Sequence, residues 1–241
     1  MAAGMQDSFV DTLRTARAQG EGALDEPAGK KILEAAGIRV PRSVVVKAGG
    51  DVAAAAAGLQ GPLVLKLVAE GVSHKSDVGG VRLNLRTPQE AGAAASDMQA
   101  ALRSRGIEPA AWLVEEMAPP GIEVVVGGTM DPEFGPMVMV GLGGIFVEVL
   151  KDVVFRICPI TRVDAVEMLD ELKGAALLKG ARGREAANID AIVDVLLRVG
   201  GEGGLLMRGE GDLAEIDINP LIVSPAAAVA VDARFILAGN A

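Results

Sequence analysis

Along the chain, apolar positions recur first at helical spacing and later mostly at strand spacing. Residues Asp7 to Gln19 place Phe9, Val10, Leu13 and Ala16 on one helical face, which predicts a short amphipathic helix. A second helix is punctuated at both ends. Asp25 suits its N-cap, Pro27 falls in the tolerant first turn, and Gly37 suits the left-handed residue that closes it. Ile38 to Pro41 lead into a β-branched strand, Ser43 to Val46. A helix over Asp51 to Leu59 precedes the run Pro62 to Val68, whose aliphatic residues fit a strand buried on both faces. After the loop Glu70 to Gly80 and the strand Val81 to Leu85 comes Thr87-Pro88-Gln89-Glu90. It combines an N-cap, a helix-opening proline and a capping-box glutamate, and predicts a helix to about Arg105.

From Trp112 the texture changes to closely spaced strands: Trp112 to Met117, Glu123 to Met130, Pro136 to Leu142, Ile145 to Leu150 and Val153 to Cys158. Two helices, about Arg162 to Leu172 and Glu185 to Val199, precede strands at Gly211 to Ile218, Pro220 to Val223 and Ala227 to Asp232. The change of texture predicts an α+β chain with a helical N-terminal arm (1–23), a first lobe (24–111) and a second lobe (112–241). Two such α/β lobes commonly enclose a small-molecule cleft.

Composition narrows what the lobes can do. A net charge of -9 argues against a nucleic-acid partner, which needs a basic face, so any phosphate must be held locally. Tyrosine is absent and there is one tryptophan, which disfavours stacking platforms for single strands. No apolar stretch reaches the roughly 18 residues of a membrane span, and no apolar leader core follows Met5, so a cytoplasmic location is expected. Cys158 is the sole cysteine and reads as a small buried hydrophobe.

Four segments carry candidate chemistry. Lys66 sits mid-strand between Leu65 and Leu67, where an ammonium needs an anion or a path to water; a phosphate suits it, and so does snorkelling from an edge strand. Ser73-His74-Lys75-Ser76-Asp77-Val78-Gly79-Gly80 offers hydroxyls, a cation and two close-approach glycines, which fits a phosphate lid or an ordinary hairpin tip. His74 is the only histidine, so an imidazole nucleophile or proton shuttle must be this one. In Glu215-Ile216-Asp217-Ile218-Asn219-Pro220 the polar residues alternate, so Glu215, Asp217 and Asn219 share a strand face. With Asp232 nearby they suit magnesium bound together with nucleotide phosphates, or form a solvated polar face. The backbone of Glu115-Glu116-Met117 can read an adenine edge, and Glu123 can accept from ribose hydroxyls.

The order of these segments resembles the ATP-grasp fold. More narrowly, Ser73 to Val81, Phe134-Gly135-Pro136, Gly141-Leu142-Gly143-Gly144-Ile145-Phe146-Val147-Glu148 and Asp217-Ile218-Asn219-Pro220-Leu221 look like the β subunit of ADP-forming acyl-CoA synthetases, relatives of succinyl-CoA synthetase. The resemblance runs from about Leu24 to Leu237 and implies roles. Lys66 is implied as catalytic and on the phosphates, Ser76, Gly79 and Gly80 in the lid, Glu115, Glu116 and Met117 at the adenine, and Glu123 at the ribose. Asn219, Asp232 and Asp217 are implied on Mg2+, with ATP or ADP as the nucleotide. His74 matches a second histidine that relays phosphate. Asp217 departs from the glutamate that many ATP-grasp proteins carry two positions before the asparagine.

The same resemblance implies a reaction. Acyl-CoA and phosphate give acyl phosphate and CoA, the phosphoryl passes to histidine, and then to ADP, each transfer resting on positioning and charge compensation. The chain shows no Gly-rich CoA-binding domain before the first lobe, so a CoA-binding α subunit is the expected partner, in an α2β2 heterotetramer. The alternative is a nucleotide-sensing ATP-grasp module of a protein acyltransferase assembly. Retention of His74, Asn219 and Asp232 together argues against a degenerate version.

Overall fold

Helix α1 (Ala3–Ala18) buries Phe9, Leu13 and Ala16 in the same core as the strands that end the chain. The computed structural model describes residues 3–69, 71–72, 75–144, 150–180 and 185–239, with side chains from residue 8 onward. Two ion pairs hold α1 down: Arg14 Nε and Arg17 Nη1 meet the two carboxylate oxygens of Asp212 at 2.9 and 2.6 Å. The ring of Phe9 stands edge-on to that of Phe235, centroids 6.5 Å apart. The expected accessory arm is therefore an integral part of the larger of two compact units, which takes residues 1–40 and 119–241. Strand β1 (Ala23–Leu24) pairs antiparallel with the final strand, Arg234–Leu237. Helix α2 (Glu26–Ala35) starts as expected, with Asp25 accepting from Ala28 N–H at 2.8 Å and Pro27 in the first turn. It buries Ile32 and Leu33, and it ends at Gly37 (φ 80°). There the Arg198 guanidinium donates to the carbonyl of Ala36 at 2.6 Å.

The smaller unit, 41–118, is a four-stranded antiparallel sheet with helices on one face. In chain order it comprises β2 (Ser43–Lys47), α3 (Val52–Ala55) with a 3-10 turn (Ala56–Gly58), β3 (Leu63–Val68), β4 (Val81–Leu85), α4 (Pro88–Arg103) and β5 (Ala111–Glu116). The spatial order is β2-β5-β3-β4. Leu63, Leu65 and Leu67 of β3 and Trp112 and Val114 of β5 pack with Met98 and Leu102 of α4. Thr87 accepts from Glu90 N–H at 3.1 Å, a cap worth about 1 kcal/mol, and the Glu90 carboxylate reaches back to Arg86 N–H at 2.8 Å.

β5 moves the expected lobe boundary. It lies between β2 and β3, bonded to both along its length, so it belongs to the smaller sheet, and the chain crosses to the larger unit only after residue 118. Residues 24–40 likewise belong to the larger unit, where Ala230 N–H donates to the Arg39 carbonyl at 2.8 Å.

The larger unit continues with β6 (Ile122–Asp131), β7 (Gly135–Leu142), β8 (Val153–Ile157), α5 (Arg162–Glu171), α6 (Ala175–Leu178), α7 (Ile189–Gly200), α8 (Leu205–Arg208), β9 (Leu213–Val223), β10 (Ala228–Ala230) and β11 (Arg234–Leu237). Among the described residues its seven strands run β1-β11-β9-β6-β7-β8, with β10 also on β9, and every pairing of these strands is antiparallel. One sheet face, carrying Val124, Val126, Val138, Val140, Ile216 and Ile218, packs in one core with Ile192, Leu196 and Val199 of α7. α7 opens at Asn188, which accepts from Ala191 N–H at 3.0 Å, later than the sequence pattern predicted. Nearly all of the strand expected over 145–150 lies outside the described residues. No helix among the described residues is long and apolar enough to cross a membrane.

Candidate functional site

In the smaller unit the register places Lys66 opposite Leu113 and Val64 opposite Glu115, so Lys66 and Glu115 are diagonal neighbours on one sheet face. That face is opposite the one packed on the helices, because Leu65 and Leu67 point there. Lys66 Nζ stands 3.0 Å from Glu115 Oε2, with side-chain exposures of 9% and 2%. Val64 and Leu113 of the same face are also buried. Lys66 is therefore a buried cation beside a carboxylate, and snorkelling to water is excluded.

The next residue has a different task. The carboxylate of Glu116 accepts from Arg42 Nη1 and from Gln60 N–H, both at 2.9 Å, tying the end of β5 to the start of β2 and to the loop before β3. The N–H groups of Glu116 and Met117 donate to the carbonyls of Arg42 (2.9 Å) and Pro62 (2.8 Å). A nucleobase reading this segment meets its carbonyls, or donors beyond Met117. Arg42 was missed in the sequence because its partner lies 74 residues away.

Of the glycine loop, Ser73 and His74 lie outside the described residues. Lys75 to Gly80 form a turn closed on itself, with Gly79 N–H donating to the Ser76 carbonyl (3.1 Å) and Gly80 N–H to that of Lys75 (2.6 Å). The two amides expected to face a phosphate thus serve the turn. Gly79 has φ 75°, which favours glycine, and a Cβ on Gly80 would lie 2.9 Å from the Lys75 carbonyl oxygen. Ser76 and Gly79 are exposed at its tip.

In the larger unit, β9 carries the candidate oxygen ligands. Glu215 pairs with Thr129, Asp217 with Gly127 and Arg234, so both carboxylates stand on the sheet face away from the helices. The two strands expected here, 211–218 and 220–223, are one. Between Ile218 and Leu221 the register against β6 shifts by a residue, at Asn219–Pro220, whose peptide bond is cis. Before the shift, even-numbered residues Ile216 and Ile218 face the core; after it, Leu221 and Val223 do. Ala230 pairs with Leu221 and Val231 N–H donates to the Pro220 carbonyl at 3.1 Å, which sets Asp232 beside Asn219.

Burial, then the neighbouring charges of Glu215 and Asp232, push the Asp217 carboxyl up to about 6, against the opposing pull of Arg234. Arg234 was missed because β11 was not recognised in the sequence. Among the described residues no group of three His, Cys, Asp or Glu side chains could hold a metal by itself. Two carboxylates, Asp217 and Asp232, with the Asn219 amide oxygen fit Mg2+, which commonly takes one or two carboxylates and completes its shell with phosphates and water. A dication here would also offset the burial and the like charges that raise Asp217.

Glu123 is exposed on β6, and Gly143 N–H donates to its carbonyl at 2.8 Å. A Cβ on Gly143 would lie 2.7 Å from Glu123 Cβ, so glycine lets the turn after β7 pass against this residue. Glu148, in the same motif, lies outside the described residues.

Comparison with known proteins shows the family. A family model described as an ATP-grasp domain matches residues 15–237. The β subunit of the ADP-forming acetate–CoA ligase I of Pyrococcus furiosus is 42% identical over 216 residues, 89% of this chain and 91% of the relative. The β subunit of ligase II from the same organism is 39% identical over 239 residues, 98% of this chain and 100% of the relative. A solved acetyl-coenzyme A synthetase from Candidatus Korarchaeum cryptofilum superposes with a TM-score of 0.81 at 38% identity, over 95% of this chain and 100% of that one. It is described in complex with coenzyme A and Mg-AMPPCP, its phosphohistidine segment pointing towards the nucleotide binding site.

Proposed function

We propose, from the premise that this chain belongs to the ATP-grasp family, that it is the nucleotide-handling β subunit of an ADP-forming acyl-CoA synthetase. The enzyme is an acid–CoA ligase that interconverts acyl-CoA, ADP and phosphate with the carboxylic acid, CoA and ATP. The observation that carries this reading is the match to β subunits over nearly the full length of both partners, at 42% and 39% identity.

The residues take separate jobs. Lys66, an ammonium fixed on a dry sheet face, receives phosphate oxygens of the nucleotide and offsets charge during transfer. Asp217, Asn219 and Asp232 hold Mg2+, which when bound neutralises phosphate charge and orients the transferring group. Glu123 accepts from ribose hydroxyls, the 115–117 segment borders the base through its carbonyls, and Ser76, Gly79 and Gly80 shape the lid as a closed turn. His74, the only imidazole of the chain, takes the phosphoryl group as the bond from phosphorus to its donor breaks, loses its ring proton as the N–P bond forms, and passes the group to the terminal phosphate oxygen of ADP as that N–P bond breaks. CoA is bound by an α partner, and the assembly is α2β2.

The test is co-expression with a CoA-binding partner subunit, followed by assay of acyl-CoA-dependent ATP formation from ADP and phosphate. ATP formation that needs both subunits and magnesium is expected. A complex that forms and binds Mg-nucleotide but makes no ATP from any short-chain acyl-CoA would overturn the assignment.

A further inference from the structure

We propose that Glu115 is a positioning residue for Lys66 and not a reader of the nucleobase. This deepens the function proposed above and rests on Lys66 meeting the nucleotide's phosphates. The register of β3 and β5 sets the two side chains diagonally on one face, and their charged atoms lie 3.0 Å apart with both side chains nine-tenths or more buried. Their neighbours on that face include the buried Val64 and Leu113. An ammonium on such a surface swings toward water or gives up its proton unless a carboxylate holds it. Glu115 supplies that hold from a strand, where the backbone fixes the origin of the side chain.

The base-reading alternative fits the chemistry less well. The donor a base offers, its exocyclic amine, can be met by a backbone carbonyl of this segment, whereas the Glu115 carboxylate already faces the Lys66 ammonium at 3.0 Å. The adjacent Glu116 carboxylate is engaged by Arg42 and Gln60. Consecutive strand residues point to opposite faces, so one glutamate of the pair braces the end of the sheet and the other aims the lysine. Nζ is then placed before the nucleotide arrives, so ordering the long lysine side chain is not charged against binding.

The experiment is calorimetric titration of the full chain with MgADP and with adenosine, for wild type, Glu115→Gln, Lys66→Met and the double variant, each checked by thermal melting. Glu115→Gln is expected to weaken MgADP about tenfold, the scale of one charge-assisted contact. Adenosine affinity should stay unchanged. In the Lys66→Met background, Glu115→Gln is expected to add nothing. An additive loss in the double variant, or loss of adenosine affinity in Glu115→Gln, overturns the positioning role. Unchanged MgADP affinity in Lys66→Met removes instead the phosphate role of Lys66. If Glu115→Gln does not fold, Lys66→Met is compared with Lys66→Met/Glu115→Leu: equal MgADP affinities support the inference, and a weaker double variant overturns it.

Discussion

The two sheets handle charge in opposite ways. On the smaller, a cation and an anion are buried together, Lys66 against Glu115 at 3.0 Å. On the larger, burial, and after it the like charges of Glu215 and Asp232, drive the Asp217 carboxyl up to about 6. The first arrangement is balanced within the fold and serves to fix a side chain. The second is offset in the fold by Arg234 only in part, and on the proposal that it takes up Mg2+ it exchanges stability of the metal-free protein for affinity. The difference separates a charge held for geometry from a charge held for a ligand.

The sharpest way to break this contrast is Lys66→Met. It leaves Glu115 buried without the ammonium, and should lower unfolding free energy by about 3–5 kcal/mol, read as a drop in the urea midpoint. Replacing both members by Met and Leu should recover most of that loss. Asp217→Asn should act with the other sign: the metal-free protein gains about 1 kcal/mol while magnesium-dependent nucleotide binding weakens. The pH dependence follows from the same carboxyl. A folded-state value near 6, above the ordinary carboxylate value of about 3.9, means that the protonated form favours the fold. Its contribution is complete below about pH 4 and is lost as pH rises through 6. The stability gap between Asp217→Asn and wild type, measured without metal, should therefore be widest above pH 6, close toward pH 4, and be narrowed at neutral pH by MgADP. The smallest effect is expected of Arg42→Ala. It removes a pair whose arginine is 64% exposed, and should cost less than about 1 kcal/mol in the same unfolding assay.

What the sequence disclosed was local. Asp25, Pro27, Thr87 and Glu90 mark their helix starts because caps act within a turn, and the alternation through Asp217 announces a polar strand face. Long-range pairing was not legible. β5 was assigned to the wrong lobe because its hydrogen bonds to β2 and β3 depend on strands far away in the chain, and the Lys66–Glu115 pair depends on that register. The arm judged accessory is pinned by Asp212, almost two hundred residues away. β11 was overlooked because it is a strand of four residues following closely on Asp232, and Arg234 was lost with it.

The slip at Asn219–Pro220 gives β9 a phase, much as a dropped stitch changes the side on which the next row shows. Straighten the strand there with every residue kept, and either Ile216 and Ile218 or Leu221 and Val223 would be turned away from the core. Ligand geometry and core composition are thus written in one strand with opposite parities. Transplanting these donors into another protein would require copying the discontinuity together with the residues.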